Sequence, residues 1–318
     1  GSDNQVRPSI GSWVSYGLGT ENRNLPAFIT ICPTLAFGGI NNWSAAFLPA
    51  VYQGTALGNA SLPSDQANVR YIRNAKLPGE VQQMQLRRWG ELNRIHQSQS
   101  GPDAALEGRI RSFELAFRMQ SSVPELTDIA SEPESTFKLY GDESRKPGTL
   151  ANTMLLARRM VERGVRFVQI YHNNWDMHAN AAGRLPSQCR DLDQGAYGLI
   201  NDLKQRGMFD ETLIIWGGEF GRTVYSQGGL SKANYGRDHH PRCFTMWMAG
   251  GGFRGGTIHG ETDDFSYNIV RDPVHVRDFH ATVLHQMGYD HERLTFKYQG
   301  LDQKLTGVLP TRIVQELI

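Results

Sequence analysis

Twice in this chain the same local order appears: a helical segment, an Arg-Gly pair, a short apolar run, then an acidic residue. Gly164 stands twelve residues before Asp176, and Gly207 stands twelve before Glu219. The first helical segment is Leu150–Val161, an amphipathic pattern stopped by Arg163-Gly164; glycine accepts the left-handed backbone of a helix end. Val165–Tyr171 (VRFVQIY) reads as the strand that follows. The second helix covers 190–206, with Leu192, Ala196, Leu199 and Leu203 at helical spacing, and Thr212–Trp216 is its strand. Cys243–Ala249 (CFTMWMA) is a further apolar strand, closed by Gly250-Gly251-Gly252. Strands alternating with helices predict βαβ units and a mainly parallel sheet. In such sheets ligands bind beyond the carboxyl ends of the strands, which is where both acids fall.

The rest of the chain is read around this core. With 318 residues the chain can form one large α/β domain or two smaller ones. Residues 1–77 carry one plausible buried strand, Ala27–Ile31, among Gly, Pro and Asn clusters, and read as ordered loops covering the core. Residues 79–131 read as a helical excursion. Val81, Trp89, Leu92 and Ile95 share one face, Pro102 suits a first helical turn, and Leu106, Ile110, Phe113 and Phe117 recur at helical spacing. Ser131–Lys146 is polar and reads as a linking loop. Asp278 is a candidate N-cap for a helix Phe279–Met287, and His275, His280 and His285 read as structural.

A formal net charge of +1 gives no reason to expect nucleic acid or an anionic membrane surface as partner. No apolar run approaches the length of a membrane-spanning helix. Cys32, Cys189 and Cys243 are odd in number and lack a CxxC spacing, so no disulfide framework is expected, though a single bridge stays open.

The stretch Thr212–His240 concentrates the chemistry. A strand ends on Gly217-Gly218 and delivers Glu219 and Arg222; Asp238, His239 and His240 close the stretch. Asp176 and His178, two positions apart, pair a hard oxygen donor with an imidazole, a combination that binds divalent ions. Asp238-His239-His240 offers a carboxylate and two imidazoles. Adjacent residues rarely face one ion, so one histidine is expected as ligand and the other against substrate or ligand. The expected metal ligands are therefore Asp176, His178, Glu219, Asp238 and one of His239 and His240, with Arg222 and the other histidine neutralising substrate charge. The competing readings are a polar loop for Asp176-x-His178, a plain Glu219–Arg222 ion pair, and a hydrogen-bonded loop with His240 stacked on its surroundings. Trp175 is a candidate wall of the same pocket.

Four segments, YHNNWDMH, WGGEFGRT, GRDHHP and VHVRDFHATVLHQMGYD, resemble the DUF1501 family, taken as sulfatase-like proteins of the alkaline phosphatase superfamily. The resemblance runs from Arg7-Pro8-Ser9 to the C-terminus. It implies a three-layer α/β/α sandwich on a mainly parallel sheet, as a single domain over 1–318 with the helical excursion at about 79–131. It also implies one metal on Asp176, His178 and His239, a second taking Glu219, and zinc as the ion with Ca, Mn and Mg as alternatives. The implied function is hydrolysis of phosphate or sulfate esters of a small molecule or glycan. The alternative is a non-catalytic protein that binds such anionic ligands. An exported, periplasmic setting is implied as well. No Asp-Gly-Gly segment of the superfamily's first strand is present, so the domain is expected to be incomplete at its N-terminus and to lack the nucleophile. Cys32-Pro33-Thr34 does not meet the Cys-x-Pro-x-Arg signature of sulfatases, because proline follows the cysteine directly.

Overall fold

A computed structural model describes residues 5–31, 39–58, 76–101, 103–227, 230–232 and 234–318. Cys32-Pro33-Thr34 and Pro102 lie outside the described residues. In chain order the elements begin with α1 (Ile10–Leu18), β1 (Phe28–Ile31), β2 (Thr55–Leu57), α2 (Gly79–Ser100), α3 (Ala104–Thr127), α4 (Glu134–Tyr140) and α5 (Leu150–Glu162). There follow β3 (Phe167–Ile170), α6 (Ala181–Gln205), β4 (Ile214–Gly217), β5 (Gly221–Arg222), β6 (His239–His240) and β7 (Met246–Ala249). The last are β8 (Glu261–Thr262), β9 (Ile269–Arg271), α7 (Val276–Gln286), β10 (Phe296–Tyr298) and β11 (Leu301–Gln303). The chain is mixed α/β and divides into two compact units: Gly1–Pro133 with Arg145–Tyr171, and Glu134–Ser144 with His172–Ile318.

The first unit is built on a parallel sheet in the order β2-β1-β3. All four residues of β1 are buried, as expected of a strand covered on both faces. Ile29, Ile31, Leu57, Val168 and Ile170 join Met119, Val123 and Leu126 of α3 and Leu156, Ala157 and Met160 of α5 in one apolar core. The opposite face carries Phe28 and Phe167, whose rings meet edge-on at 5.1 Å, and α1 packs against these strands. The excursion consists of α2 and α3. Trp89, Leu92 and Ile95 of α2, which share a face as expected, are exposed.

Helix α5 departs from its amphipathic reading, because Ala151 through Met160 are all buried, Arg158 and Arg159 included. Glu132 explains the two arginines. Its Oε2 lies 2.6 Å from Arg158 Nη2, and its Oε1 pairs with Arg159 Nη1. Arg158 also meets Glu162 at 2.8 Å. Arg159 donates to the carbonyls of Leu126, Glu125 and Asp128 at 2.9, 3.1 and 2.8 Å, so one guanidinium closes the C-terminal turn of α3. Burial works against the Glu132 charge, but hydrogen bonds and the charges of Arg158 and Arg159 outweigh it and hold the carboxyl below its usual 4.5.

In the second unit, α4 occupies the middle of Ser131–Lys146, where the polar sequence predicts a loop. Phe137 and Tyr140 bury one side of this short helix. It packs on α6, where Tyr140 donates to Asp202 at 3.2 Å and Gln194 donates to the Leu139 carbonyl at 2.7 Å. Helix α6 starts at Ala181, nine residues before its expected start, and runs through Pro186.

Strands β4 and β7 pair antiparallel, Trp216 opposite Trp247, rather than extending a parallel sheet. The reason lies between them: the described part of 218–245 supplies no crossover helix, and antiparallel neighbours need none. The α/β class therefore stands, with parallel pairing in β1, β2 and β3.

The cap of α7 also shifts. His275 is the N-cap; its Nδ1 accepts from Arg277 N at 3.2 Å. Asp278 sits three residues inside and accepts from His275 N at 3.2 Å, a reciprocal pair that satisfies two helix-end donors. Burial pushes the His280 imidazole down to about 4, so it is neutral near pH 7, consistent with a structural role. Replacing His275 by alanine is expected to lower stability by about 1 kcal/mol, read as a shift of the denaturant midpoint. Among the described residues no helix is long and apolar enough to cross a membrane. Cys189 and Cys243 are free thiols.

Candidate metal centre

The polar run 219–240 folds back on itself through β5 and β6, with Gly221 opposite His240 and Arg222 opposite His239. Side chains alternate along a strand, and directly opposed residues share a face. Arg222 and His239 therefore point one way and His240 the other. Buried Thr223 extends the pairing by one residue: its N–H donates to the Asp238 carbonyl at 2.9 Å, and its hydroxyl accepts from Asp238 N at 2.9 Å. Gly221 is required where β5 crosses the chain after β6, because a Cβ there would lie 1.7 Å from the Cys243 carbonyl oxygen.

A second segment, 172–180, brings Asp176 and His178 to the same place. It is irregular, with Asn174 and Asn180 in the left-handed region at φ 73° and 49°. Trp175 fixes it from one side, donating to His172 Nδ1 at 3.1 Å and meeting Trp216 edge-on at 5.7 Å. Burial holds the His172 imidazole below its usual value, which suits a ring that accepts this bond. Gln188 of α6 donates to the Asn173 carbonyl at 2.9 Å. From the other side, Arg237 N–H donates to Met177 O at 2.9 Å and Ala181 N–H to Tyr235 O at 3.0 Å. Gly236 lies between these two bonds.

The two segments meet at one oxygen. Asp176 Oδ1 accepts from Arg222 Nη1 and lies 3.0 Å from His178 Nε2 and 3.1 Å from His239 Nε2. The two imidazole rings are 4.8 Å apart, and the Phe220 ring lies 4.7 Å from that of His239. His178 Nδ1 is buried without a hydrogen-bond partner among the described residues, so its ring is held through Nε2. Partial burial opposes ionisation of Asp176. The Arg222 and His239 hydrogen bonds, with the charges of Arg222 and His178, still bring its carboxyl below the usual range.

Of the residues expected here, Asp176, His178 and His239 present ligand atoms all within 4.8 Å of one another. One carboxylate oxygen and two imidazole nitrogens are the donors of a three-ligand zinc site with a coordination position left open, so these residues fit such an ion. Arg222 belongs to the group through Asp176. Glu219 stands aside: its side chain is 69% exposed and its Oε1 is 3.9 Å from Arg222 Nη2, the ion-pair arrangement. Asp238 turns back on its own chain and accepts from His239 N at 2.7 Å. His240 is 4% exposed, places Nε2 2.7 Å from the Tyr267 carbonyl and stacks on the Tyr267 ring at 4.6 Å. That is the stacked-loop reading; the β5–β6 alternation turns His240 away from Arg222 and His239. Gly221, Thr223 and Gly236 shape the site without a chemical signature of their own.

These features define an α/β protein carrying a carboxylate–bis-imidazole cluster clamped to an arginine. The chain belongs to the family described as Protein of unknown function (DUF1501), which matches it over residues 1–318. No curated protein and no solved structure matches it.

Proposed function

We propose that this chain is a metal-dependent hydrolase of phosphate or sulfate esters. The observation that carries the reading is the convergence of Asp176, His178 and His239 beside Arg222. Two imidazoles favour zinc over the harder, oxygen-seeking calcium and magnesium, with manganese, calcium and magnesium as the alternatives. Such an ion, when bound, polarises an ester oxygen and lowers the pKa of an attacking oxygen. Arg222 supplies a planar fork suited to two oxygens of a sulfate or phosphate group. Glu219 holds the outer side of that guanidinium. His240 takes no part in charge neutralisation in this reading; it anchors β6 to the Tyr267 carbonyl. The substrate class is an anionic ester of a small molecule or glycan. A sulfatase-like α/β/α sandwich is part of the proposal, supported by the helices packed on both faces of the sheet in the first unit. An exported setting rests on the family resemblance alone.

Elemental analysis of protein purified without chelator tests the centre, together with aryl phosphate and aryl sulfate turnover. About one zinc per chain is expected. Asp176→Ala and His239→Ala should each lose the ion and at least ~100-fold in turnover. Metal held with no turnover would favour a binding protein for sulfated or phosphorylated ligands. Unchanged turnover in both variants would remove the hydrolase site from these residues.

A further inference from the structure

Asp176 Oδ1 faces three nitrogen groups at once: the Arg222 guanidinium, His178 Nε2 and His239 Nε2. An ionised carboxylate offers roughly four lone-pair positions over its two oxygens, so this one oxygen is fully engaged. A divalent cation using the same oxygen would sit within a few ångströms of a guanidinium that never loses its charge. Like charges at that separation in a part-buried site repel strongly. Arg222 has a second seat. Glu219 Oε1 lies 3.9 Å from its other terminal nitrogen, and the Phe220 ring lies 5.6 Å from its guanidinium carbon. The backbone of β5 can stay in register with β6 while the long side chain moves.

Resting on the metal-centre reading above, we infer that Arg222 competes with the divalent cation for Asp176 Oδ1, so that cation binding releases Arg222 to the anionic group of the substrate. The cation and the anionic ester are then coupled ligands: each raises the affinity for the other, because each favours the same position of one side chain. Glu219 belongs to this device as the holder of the released arginine, which gives its exposed position after β4 a role without ligation.

Calorimetric titration of Zn²⁺ into the full chain, with and without inorganic sulfate, tests this on wild type, Arg222→Gln and Asp176→Asn. Arg222→Gln is expected to bind zinc about tenfold tighter than wild type. Sulfate should tighten zinc binding several-fold in wild type and leave Arg222→Gln unchanged. Asp176→Asn should lose zinc binding. Equal or weaker zinc binding by Arg222→Gln, with both above Asp176→Asn, overturns the competition and leaves the metal centre standing. The sulfate arm needs no substitution: wild-type zinc affinity indifferent to sulfate overturns the coupling on its own. Zinc binding no better than that of Asp176→Asn in all three proteins overturns the centre and the competition together.

Discussion

Glu132→Ala is expected to destabilise the first unit by about 3–5 kcal/mol, the cost of leaving buried charges without their partner. The Arg158, Arg159 and Glu132 side chains are 1%, 4% and 5% exposed, so the arginines lose their anion away from bulk solvent. Arg159 would keep its bonds to the carbonyls at the end of α3 but lose the anion that sets its position. Arg158 would keep Glu162, which is more exposed. The same network fixes the sign of the acid response. The folded pKa of Glu132 lies below its usual 4.5. Its stabilisation is therefore fully present above about pH 4.5 and is lost as pH falls through the depressed folded value. Denaturant melts of wild type and Glu132→Gln from pH 7 downward check this. The difference between the two proteins should shrink in acid, because wild type then carries a neutral side chain as well. A loss below about 1 kcal/mol for Glu132→Ala at pH 7 would show that the arginines find other partners.

This network also marks where the sequence stops being readable. Arg158-Arg159 on an apolar helix looks like a solvated edge, because the acid that neutralises it stands 26 positions earlier in what reads as a polar loop. The helix–Arg-Gly–strand–acid order is legible because it is local: β3 and β4 occur where it puts them, and α6 ends where expected although it begins nine residues earlier. Strand direction is not. Whether β7 runs with or against β4 depends on the path between them, which has no periodic pattern. The site divides in the same way. Asp176 and His178 could be singled out together because they stand two positions apart. Residue types alone left His239 and His240 open, and the family resemblance singled out His239; the register Arg222↔His239, a pairing across 17 positions, is what turns it toward Asp176. Glu219 was drawn in by its place after a strand, yet in a loop that open its nearest charge is Arg222.

Gly236→Ala is expected to weaken zinc binding by about 100-fold while every proposed ligand remains in the chain. A Cβ on Gly236 would lie 2.0 Å from both the carbonyl carbon and the oxygen of His178, and 2.4 Å from Ala179 N. Those are backbone atoms that cannot rotate aside, so one segment must retreat by more than about 1 Å to reach ordinary contact. The strain is one of contact: Gly236 is not among the glycines with positive φ. The bonds from Arg237 to Met177 and from Ala181 to Tyr235 bracket the approach, so a retreat stretches both and shifts His239, three residues on, relative to His178. Overpacking of this kind typically costs about 1–3 kcal/mol, small enough for the fold to persist and be checked by circular dichroism. Gly255→Ala, where an added Cβ meets nothing within 4 Å, serves as the control and should bind zinc like wild type. The comparison separates two explanations that removing a ligand confounds. Asp176→Ala changes both charge and chemistry, whereas Gly236→Ala changes only the spacing of the two segments. Undiminished zinc affinity in Gly236→Ala would mean that His178 and His239 are not held as a pair, and the donor set would then have to be sought around one of them alone.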